Sequence, residues 1–104
     1  LLGGLCVKVA IFGLGYVGST AAGCIASQGH TILGVDVSEA KVAALNEGRA
    51  PVYEPGLDDL IAAAHADGRI TAVTRLTDEL DDADIAIVCV GTPSGVDGAH
   101  NMSY

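Results

Sequence analysis

The sequence predicts an α/β fold, a Rossmann-like doubly wound parallel sheet in a single partial domain. Short β-branched runs alternate with helical patterns, as in βαβ units whose parallel strands are joined by right-handed crossovers. The first apolar run leads directly into IFGLGYVGST at 11–20, where three glycines are spaced as G-x-G-x-x-G. The length of 104 residues fits one small domain and is too short for two domains of ordinary size.

The first half of the chain has the pattern strand, helix, strand, helix. The expected ranges are 5–12 for the first strand, 16–29 for the first helix, 31–36 for the second strand and 39–48 for the second helix. The first strand is rich in β-branched residues and should be buried, and the first helix should end at a glycine C-cap, Gly29. Ser38 should cap the second helix, which places Val42 and Leu45 on its buried face.

The second half continues the alternation after a loop over 50–57. Its expected ranges are 57–66 for a helix, 69–74 for a strand, 77–83 for a short acidic helix or turn capped by Thr77, and 85–90 for a last strand. One apolar stripe of the helix is formed by Leu57, Leu60, Ile61 and Ala64. Glu54 could face a substrate or start this helix, and Pro55 at a first helical position favours the second interpretation.

The charge balance argues against nucleic-acid and membrane partners. Thirteen acidic residues against five basic ones give a formal charge of −8, which repels nucleic acid and anionic lipid surfaces. An anionic ligand would therefore need local devices such as backbone N–H groups at a helix N-terminus. The opening LLGGLC lacks the basic region and the cleavage site of a signal peptide. We therefore expect this segment to be a strand extension or a vector remnant, and we expect the protein to be cytoplasmic.

Cysteines and histidines show no spacing typical of metal ligands. The cysteines Cys6, Cys24 and Cys89 fall in apolar segments without C-x-x-C spacing, so we expect buried, reduced thiols. The histidines His30, His65 and His100 are isolated, and no metal site is expected. His65 lies near the end of a predicted helix, where a favourable interaction with the helix dipole is enough to explain its presence. The acidic run Asp78, Glu79, Asp81 and Asp82 should be a solvated edge.

The glycine pattern stands in the context that a dinucleotide site requires. A strand precedes it, a helix follows it, and an acid ends the next strand. Gly13 would permit the tight turn, Gly15 would let a pyrophosphate approach the backbone, and Gly18 would let the helix pack closely on the strand. The N–H groups of Tyr16 and Val17 would point at the phosphates.

Asp36 is the acid that this pattern expects, at the end of the second strand. A carboxylate accepts hydrogen bonds from the ribose hydroxyls of NAD and repels the 2′-phosphate of NADP, and no arginine follows closely. NAD is therefore favoured over NADP, whereas FAD is not excluded. The alternative is a strand-end acid that caps the following helix. A further polar stretch, 91–94, should lie at the same edge of the sheet.

Four stretches carry a more specific resemblance. IFGLGYVG, GVDVSEAKV, YEPGLDDLI and VCVGTPSG, in this order and at these separations, resemble the amino-terminal domain of the UDP-glucose/GDP-mannose dehydrogenase family from Val7 onward. FGLGYVG, AGC at 22–24 and CVGTPS are most similar to its GDP-mannose 6-dehydrogenase branch.

The resemblance implies roles for individual residues. Tyr16 and Val17 would contact the pyrophosphate, Asp36 the ribose, Lys41 the same ribose, and Thr92 the cofactor after the fourth strand. Lys41 could instead be a solvated surface lysine, and Thr92 a turn residue. The family's nucleophilic cysteine lies beyond this sequence, and no catalytic residue is expected here. Cys89 should not take that role, because it lies inside an apolar strand with no histidine or basic residue nearby to activate a thiol.

The resemblance also implies a reaction. It is the four-electron oxidation of the C6 alcohol of a nucleotide sugar to a carboxylate with two NAD, through an aldehyde and a cysteine thioester. Residues 1–104 would be the NAD-binding domain, and the central and sugar-nucleotide-binding domains would lie outside the sequence. The parent protein would be a homo-oligomer, with dimers formed through the central helices. The alternatives are a UDP-glucose substrate, a stand-alone NAD-sensing module and an unrelated NAD-dependent hydroxyacid or hydroxyacyl dehydrogenase.

Overall fold

The computed structural model describes residues 6–76, 78 and 82–89. Its elements are β1 (Lys8–Phe12), α1 (Tyr16–Ser27), β2 (Thr31–Val35), α2 (Glu39–Asn46), α3 (Leu57–Ala66), β3 (Ile70–Val73) and β4 (Ile85–Val88). The strands form one parallel sheet in the order β3-β2-β1-β4. The chain thus reverses direction across the sheet beside β1, which is the place where parallel α/β sheets bind ligands. The predicted α/β, Rossmann-like fold is confirmed.

One core joins the helices to one face of the sheet. In register, Val9 pairs with Ile32 and Ile32 with Ile70, so these side chains lie on the same face. The cluster consists of Val9, Ile11, Leu14, Ala22, Ala26, Ile32, Val42, Leu45, Leu57, Ile61, Ala64, Ile70 and Ala72. Burial of these apolar side chains holds the carboxyl ends of β1, β2 and β3 in fixed relation.

Side chains and glycines set the ends of the first elements. β1 begins at Lys8, later than predicted, because the N–H of Val7 donates to His30 Nδ1 at 3.1 Å and not to a strand. α1 ends two residues before Gly29, whose φ of 99° and N–H bond to Ala26 close the helix. Arg69 Nη1 donates to the carbonyl oxygens of Ala26 and His30 and ties this end to β3.

The start of α3 differs from the prediction in one respect. Gly56, with φ 85°, is the N-cap, so Pro55 precedes the helix and does not occupy its first position. The N–H of Leu57 donates to the Glu54 carbonyl at 3.0 Å, and the left-handed glycine then directs the chain into the helix. The predicted apolar stripe is present, with Leu57, Ile61 and Ala64 buried.

Asn46 covers the outer edge of β3. Its Nδ2 donates to the Ala72 carbonyl at 3.0 Å, and its Oδ1 accepts from the Ala72 N–H at 2.8 Å. The amide thus satisfies both backbone groups of Ala72, which a further strand could otherwise pair, and so protects this part of the edge from other chains. His65 Nε2 in turn lies 2.8 Å from the Asn46 carbonyl oxygen.

Asn46→Ala should lower the free energy of unfolding by about 1–2 kcal/mol, because two hydrogen bonds of ordinary net strength are lost. Urea unfolding followed by circular dichroism measures this change. Asn46→Asp keeps the acceptor for the Ala72 N–H but places a carboxylate oxygen against the Ala72 carbonyl oxygen, so it should recover little or none of the stability that alanine loses. An alanine variant as stable as the wild type would show that water replaces the amide without loss.

Candidate cofactor site at the glycine loop

The glycine loop, residues 13–18, turns the chain from β1 into α1. Gly13 has φ 102°, a conformation that side chains disfavour, and its N–H donates to the Val35 carbonyl at 2.8 Å. Gly15 is the extended N-cap residue of α1, and no side chain caps this helix. A Cβ built on Gly15 meets no atom within 4 Å. The loop therefore leaves open space directly before an uncapped helix N-terminus.

The first turn of α1 suits an anion. It contains no acidic residue. N–H groups at a helix start lack intrahelical partners and carry the positive end of the helix dipole. α2 differs, because Ser38 Oγ accepts from the Lys41 N–H at 3.3 Å, as the sequence predicts for its N-cap.

Gly18 lies where no side chain fits. A Cβ built there overlaps the Gly13 carbonyl oxygen and lies 2.9 Å from the carbonyl carbon and 3.4 Å from Cys89 Cβ. α1 thus packs directly on the turn before it and on the residue that follows β4. The absence of a side chain at Gly18 fixes the distance between the helix start and the sheet.

Leu14 and Ser19 complete the loop from inside. Both are fully buried, and Ser19 Oγ donates to the Leu14 carbonyl at 2.8 Å. The Leu14 side chain packs against β2, since a Cβ on Gly34 would lie 3.0 Å from Leu14 Cδ2. Sequence reasoning missed both residues. The one available signal is a small polar residue that directly follows the last glycine of the pattern.

Asp36 lies at the glycine loop, as its position after β2 predicts. Its backbone N–H donates to the Val73 carbonyl oxygen at 3.2 Å. In its side chain, Oδ2 accepts from the Leu14 N–H at 2.7 Å and Oδ1 accepts from the Ser38 N–H at 2.8 Å. The alternative prediction, an acid that caps the following helix, is thus partly correct, because Asp36 accepts from the N–H of Ser38, the N-cap residue of α2. Each carboxylate oxygen keeps a further lone pair for a ligand hydroxyl.

Of the other predicted site residues, some lie near the glycine loop and the rest fall outside the residues that the structure describes. Lys41 is in the first turn of α2, which begins three residues after Asp36. Val17 is exposed at the start of α1. Thr92 and the stretch 91–94 lie outside the described residues, as does the predicted cap Thr77. Of the acidic run, Asp78 and Asp82 are described and both are exposed.

A hydrogen bond that the sequence does not predict joins this site to the loop before α3. Tyr16 Oη donates to Glu54 Oε1 at 2.8 Å, and 56% of Tyr16 is exposed. The hydrogen bond to Glu54, followed by the charge of that carboxylate, raises the pKa of Tyr16 above its ordinary value of 10.0. The loop carrying YEPG is therefore attached to the helix that starts at the glycine loop.

Glu54→Gln should lower the pKa of Tyr16 toward 10.0, because the neutral amide no longer opposes the phenolate charge. Because the pKa of Tyr16 is raised in the folded protein, its hydrogen bond to Glu54 stabilises the fold fully at pH values below the ordinary tyrosine pKa. This stabilisation is lost as the pH rises through the raised pKa. Tyrosinate absorbance during an alkaline titration measures the shift. Tyr16→Phe identifies the transition among the three tyrosines, and an unchanged transition in Glu54→Gln would contradict the contact.

The expectation of buried thiols is wrong for two cysteines. Cys6 and Cys24 are exposed, whereas Cys89 is half-buried, and all are free. Cys24 lies on α1 outside the buried set Gly18, Ser19, Ala22, Gly23 and Ala26. Because most residues around the helix are small and apolar, the sequence pattern did not reveal which face it buries.

His30 and His65 have structural partners. They contact the backbone of Val7 and Asn46, respectively, and His100 lies outside the described residues. Over 6–76, 78 and 82–89, no group of three His, Cys, Asp or Glu side chains is placed to hold a metal ion. Within the same part of the chain, none of the helices combines the length and the apolar character needed to cross a membrane.

Comparison with known proteins gives a consistent result. A family model described as "UDP-glucose/GDP-mannose dehydrogenase family, NAD binding domain" matches residues 7–104. The chain is 41% identical over 98 residues to GDP-mannose 6-dehydrogenase of Pseudomonas aeruginosa, covering 94% of this chain and 22% of that protein. It is 39% identical over 99 residues to UDP-glucose 6-dehydrogenase of Rhizobium meliloti, covering 94% of this chain and 23% of that protein.

The fold agrees with a solved structure. The crystal structure of a ternary complex of GDP-mannose dehydrogenase from Pseudomonas aeruginosa superimposes with a TM-score of 0.80 at 43% identity. That match covers 86% of this chain and 21% of the larger one. The present chain therefore spans less than a quarter of the length of the relatives it matches.

Proposed function

This chain belongs to the UDP-glucose/GDP-mannose dehydrogenase family as its NAD-binding domain, and on that premise we propose that the glycine loop and Asp36 hold the cofactor. The predictions of the family and of NAD as cofactor are confirmed. The observation that carries the residue assignment is the open space at Gly15 before the uncapped start of α1. The residues present fit a dinucleotide there.

The pyrophosphate is assigned to the start of α1. The N–H groups of Tyr16 and Val17 lie in the first turn of α1, which itself contains no acidic residue. Since the whole chain carries a formal charge of −8, this local arrangement must supply the attraction. Gly15 gives the phosphate close access to the backbone because no Cβ occupies the space.

The adenosine end is assigned to the carboxyl ends of β2 and β3. Asp36 offers its remaining lone pairs to the ribose hydroxyls, with Lys41 as a second ribose contact in the next helix. Two exposed apolar side chains follow these strands, Val37 after Asp36 and Leu76 after β3, and they offer apolar surface for an adenine ring. Thr92 is assigned to the cofactor on the basis of the resemblance alone.

The parent protein is proposed to oxidise the C6 alcohol of GDP-mannose to the uronate in two NAD-dependent steps. Support comes from the name of the Pseudomonas aeruginosa relative, while the Rhizobium meliloti relative makes UDP-glucose the second candidate. NAD supplies the hydride acceptor, and the catalytic residues lie in domains outside residues 1–104. A cytoplasmic location, a role in polysaccharide biosynthesis and a homo-oligomeric parent belong to the same proposal.

The first experiment measures NAD and NADP binding to the 104-residue chain by calorimetry. Binding of NAD with at least about tenfold weaker binding of NADP is expected, because Asp36 repels the added 2′-phosphate. Equal binding of both would contradict the role of Asp36. For the parent protein, NADH formation is measured with GDP-mannose and with UDP-glucose in separate assays, which identifies the substrate. Absence of NADH formation with both sugar nucleotides would overturn the proposed reaction.

Gly15→Ala should leave the free energy of unfolding within about 1 kcal/mol of the wild type, because the added methyl meets no atom of the chain. Its NAD affinity should fall by at least about tenfold, since the methyl occupies the space through which the phosphate approaches the backbone. Urea unfolding and calorimetric titration measure the two effects separately. Unchanged NAD affinity in this stable variant would place the pyrophosphate elsewhere.

A further inference from the structure

Asp36 has a second connection that a ribose ligand alone does not need. Its two carboxylate oxygens accept N–H groups from different segments, Leu14 in the glycine loop at 2.7 Å and Ser38 before α2 at 2.8 Å. The partners are separated from Asp36 by 22 and 2 residues in sequence. One side chain therefore joins the loop, the end of β2 and the start of α2.

The Leu14 N–H depends on this carboxylate. Leu14 has 0% exposure, and a buried N–H without an acceptor destabilises the conformation that contains it. The Leu14 carbonyl is likewise satisfied by a side chain, Ser19 Oγ at 2.8 Å. By contrast, the N–H of the neighbouring Gly13 donates to the backbone of Val35. Removal of the carboxylate would therefore leave two N–H groups without this acceptor, the buried Leu14 N–H in the glycine loop and the Ser38 N–H before α2. The Gly13 N–H would keep its partner.

We propose that Asp36 is a positioning residue for the pyrophosphate site as well as a ribose ligand, an inference that rests on the proposed function. By holding the Leu14 N–H, Asp36 keeps the glycine loop in the conformation that leaves Gly15 open before α1. Loss of the carboxylate therefore weakens the binding of ligands that contain no ribose. It also means that exchanging Asp36 to admit the 2′-phosphate of NADP loosens the loop that must bind the pyrophosphate.

The experiment compares Asp36→Ala with Lys41→Met, using NAD and inorganic pyrophosphate as probes in amide-resolved NMR titrations of the 104-residue chain. Asp36→Ala should weaken both probes, the pyrophosphate by at least about tenfold, because an unsatisfied buried donor raises the free energy of the binding conformation. Lys41→Met should weaken NAD alone, since it keeps both loop hydrogen bonds. Asp36→Asn, which retains one acceptor oxygen, should give intermediate losses and serves if the alanine variant does not fold.

Amide hydrogen exchange without any ligand gives a second readout. Exchange at Leu14 should accelerate by at least about tenfold in Asp36→Ala, while exchange at Gly13 stays near its wild-type rate. Weaker NAD binding with unchanged pyrophosphate binding and unchanged Leu14 exchange would overturn the positioning role and leave Asp36 a ribose ligand only. If the wild type binds neither probe, the proposed cofactor site is wrong, whereas Leu14 exchange still decides whether Asp36 orders the loop.

Discussion

Gly18→Ala should abolish NAD binding and lower the free energy of unfolding by about 3 kcal/mol or more. The added Cβ overlaps the Gly13 carbonyl oxygen and lies 2.9 Å from the carbonyl carbon. Relief by a small local shift is blocked, because the Gly13 N–H is bound to Val35 and Gly18 lies within α1. Either the helix start moves away from the turn or the loop changes its conformation, and both displace the proposed phosphate-binding N–H groups.

Gly15→Ala is the matched control, since it makes the same chemical change in the same loop but into open space. Both variants should lose NAD affinity, and only Gly18→Ala should lose stability. Urea unfolding of the three proteins under one set of conditions measures the difference. A Gly18→Ala protein within about 1 kcal/mol of the wild type would show that α1 can move without disturbing the core.

Local patterns explain why the fold and the glycine loop could be predicted. The alternation of apolar strands with helical segments identifies the parallel sheet, and the acid at the end of β2 lies at the glycine loop as expected. Gly29 and Gly48 follow their helices with φ of 99° and 81°, which the sequence signals through glycine C-caps. Each of these features is indicated by a residue type at a fixed place in a sequence pattern, even though the contact between Asp36 and Leu14 spans 22 residues.

The missed contacts join residues far apart in sequence. Tyr16 and Glu54 are 38 residues apart, and Asn46 and Ala72 are 26 apart, so no periodicity relates the partners. The positioning role proposed for Asp36 was missed because the pattern identifies its carboxylate but not the backbone N–H from which it accepts a hydrogen bond. Polar side chains of this kind connect elements whose positions apolar burial has already set.

Leu14→Ala should lower the free energy of unfolding by about 2–5 kcal/mol, as expected for truncation of a fully buried leucine. The side chain fills space beside Gly34, where a built Cβ would lie 3.0 Å from Leu14 Cδ2 and 2.9 Å from Leu45 Cδ2. The NAD affinity of the folded variant, measured without urea, should change much less than its stability. Asp36 and Ser19 bind the backbone of Leu14 and not its side chain.

Urea unfolding and NAD titration of the same samples separate the two functions of this residue. Leu14→Met, which nearly conserves volume, is the control and should cost less than about 1.5 kcal/mol. Adding Gly34→Ala to Leu14→Ala should be less harmful than Gly34→Ala alone, because the close contacts of the new methyl with Leu14 are removed and only the one with Leu45 Cδ2 at 2.9 Å remains. If Leu14→Ala loses NAD affinity as completely as Gly18→Ala, the side chain and not the backbone hydrogen bonds holds the loop in its binding conformation.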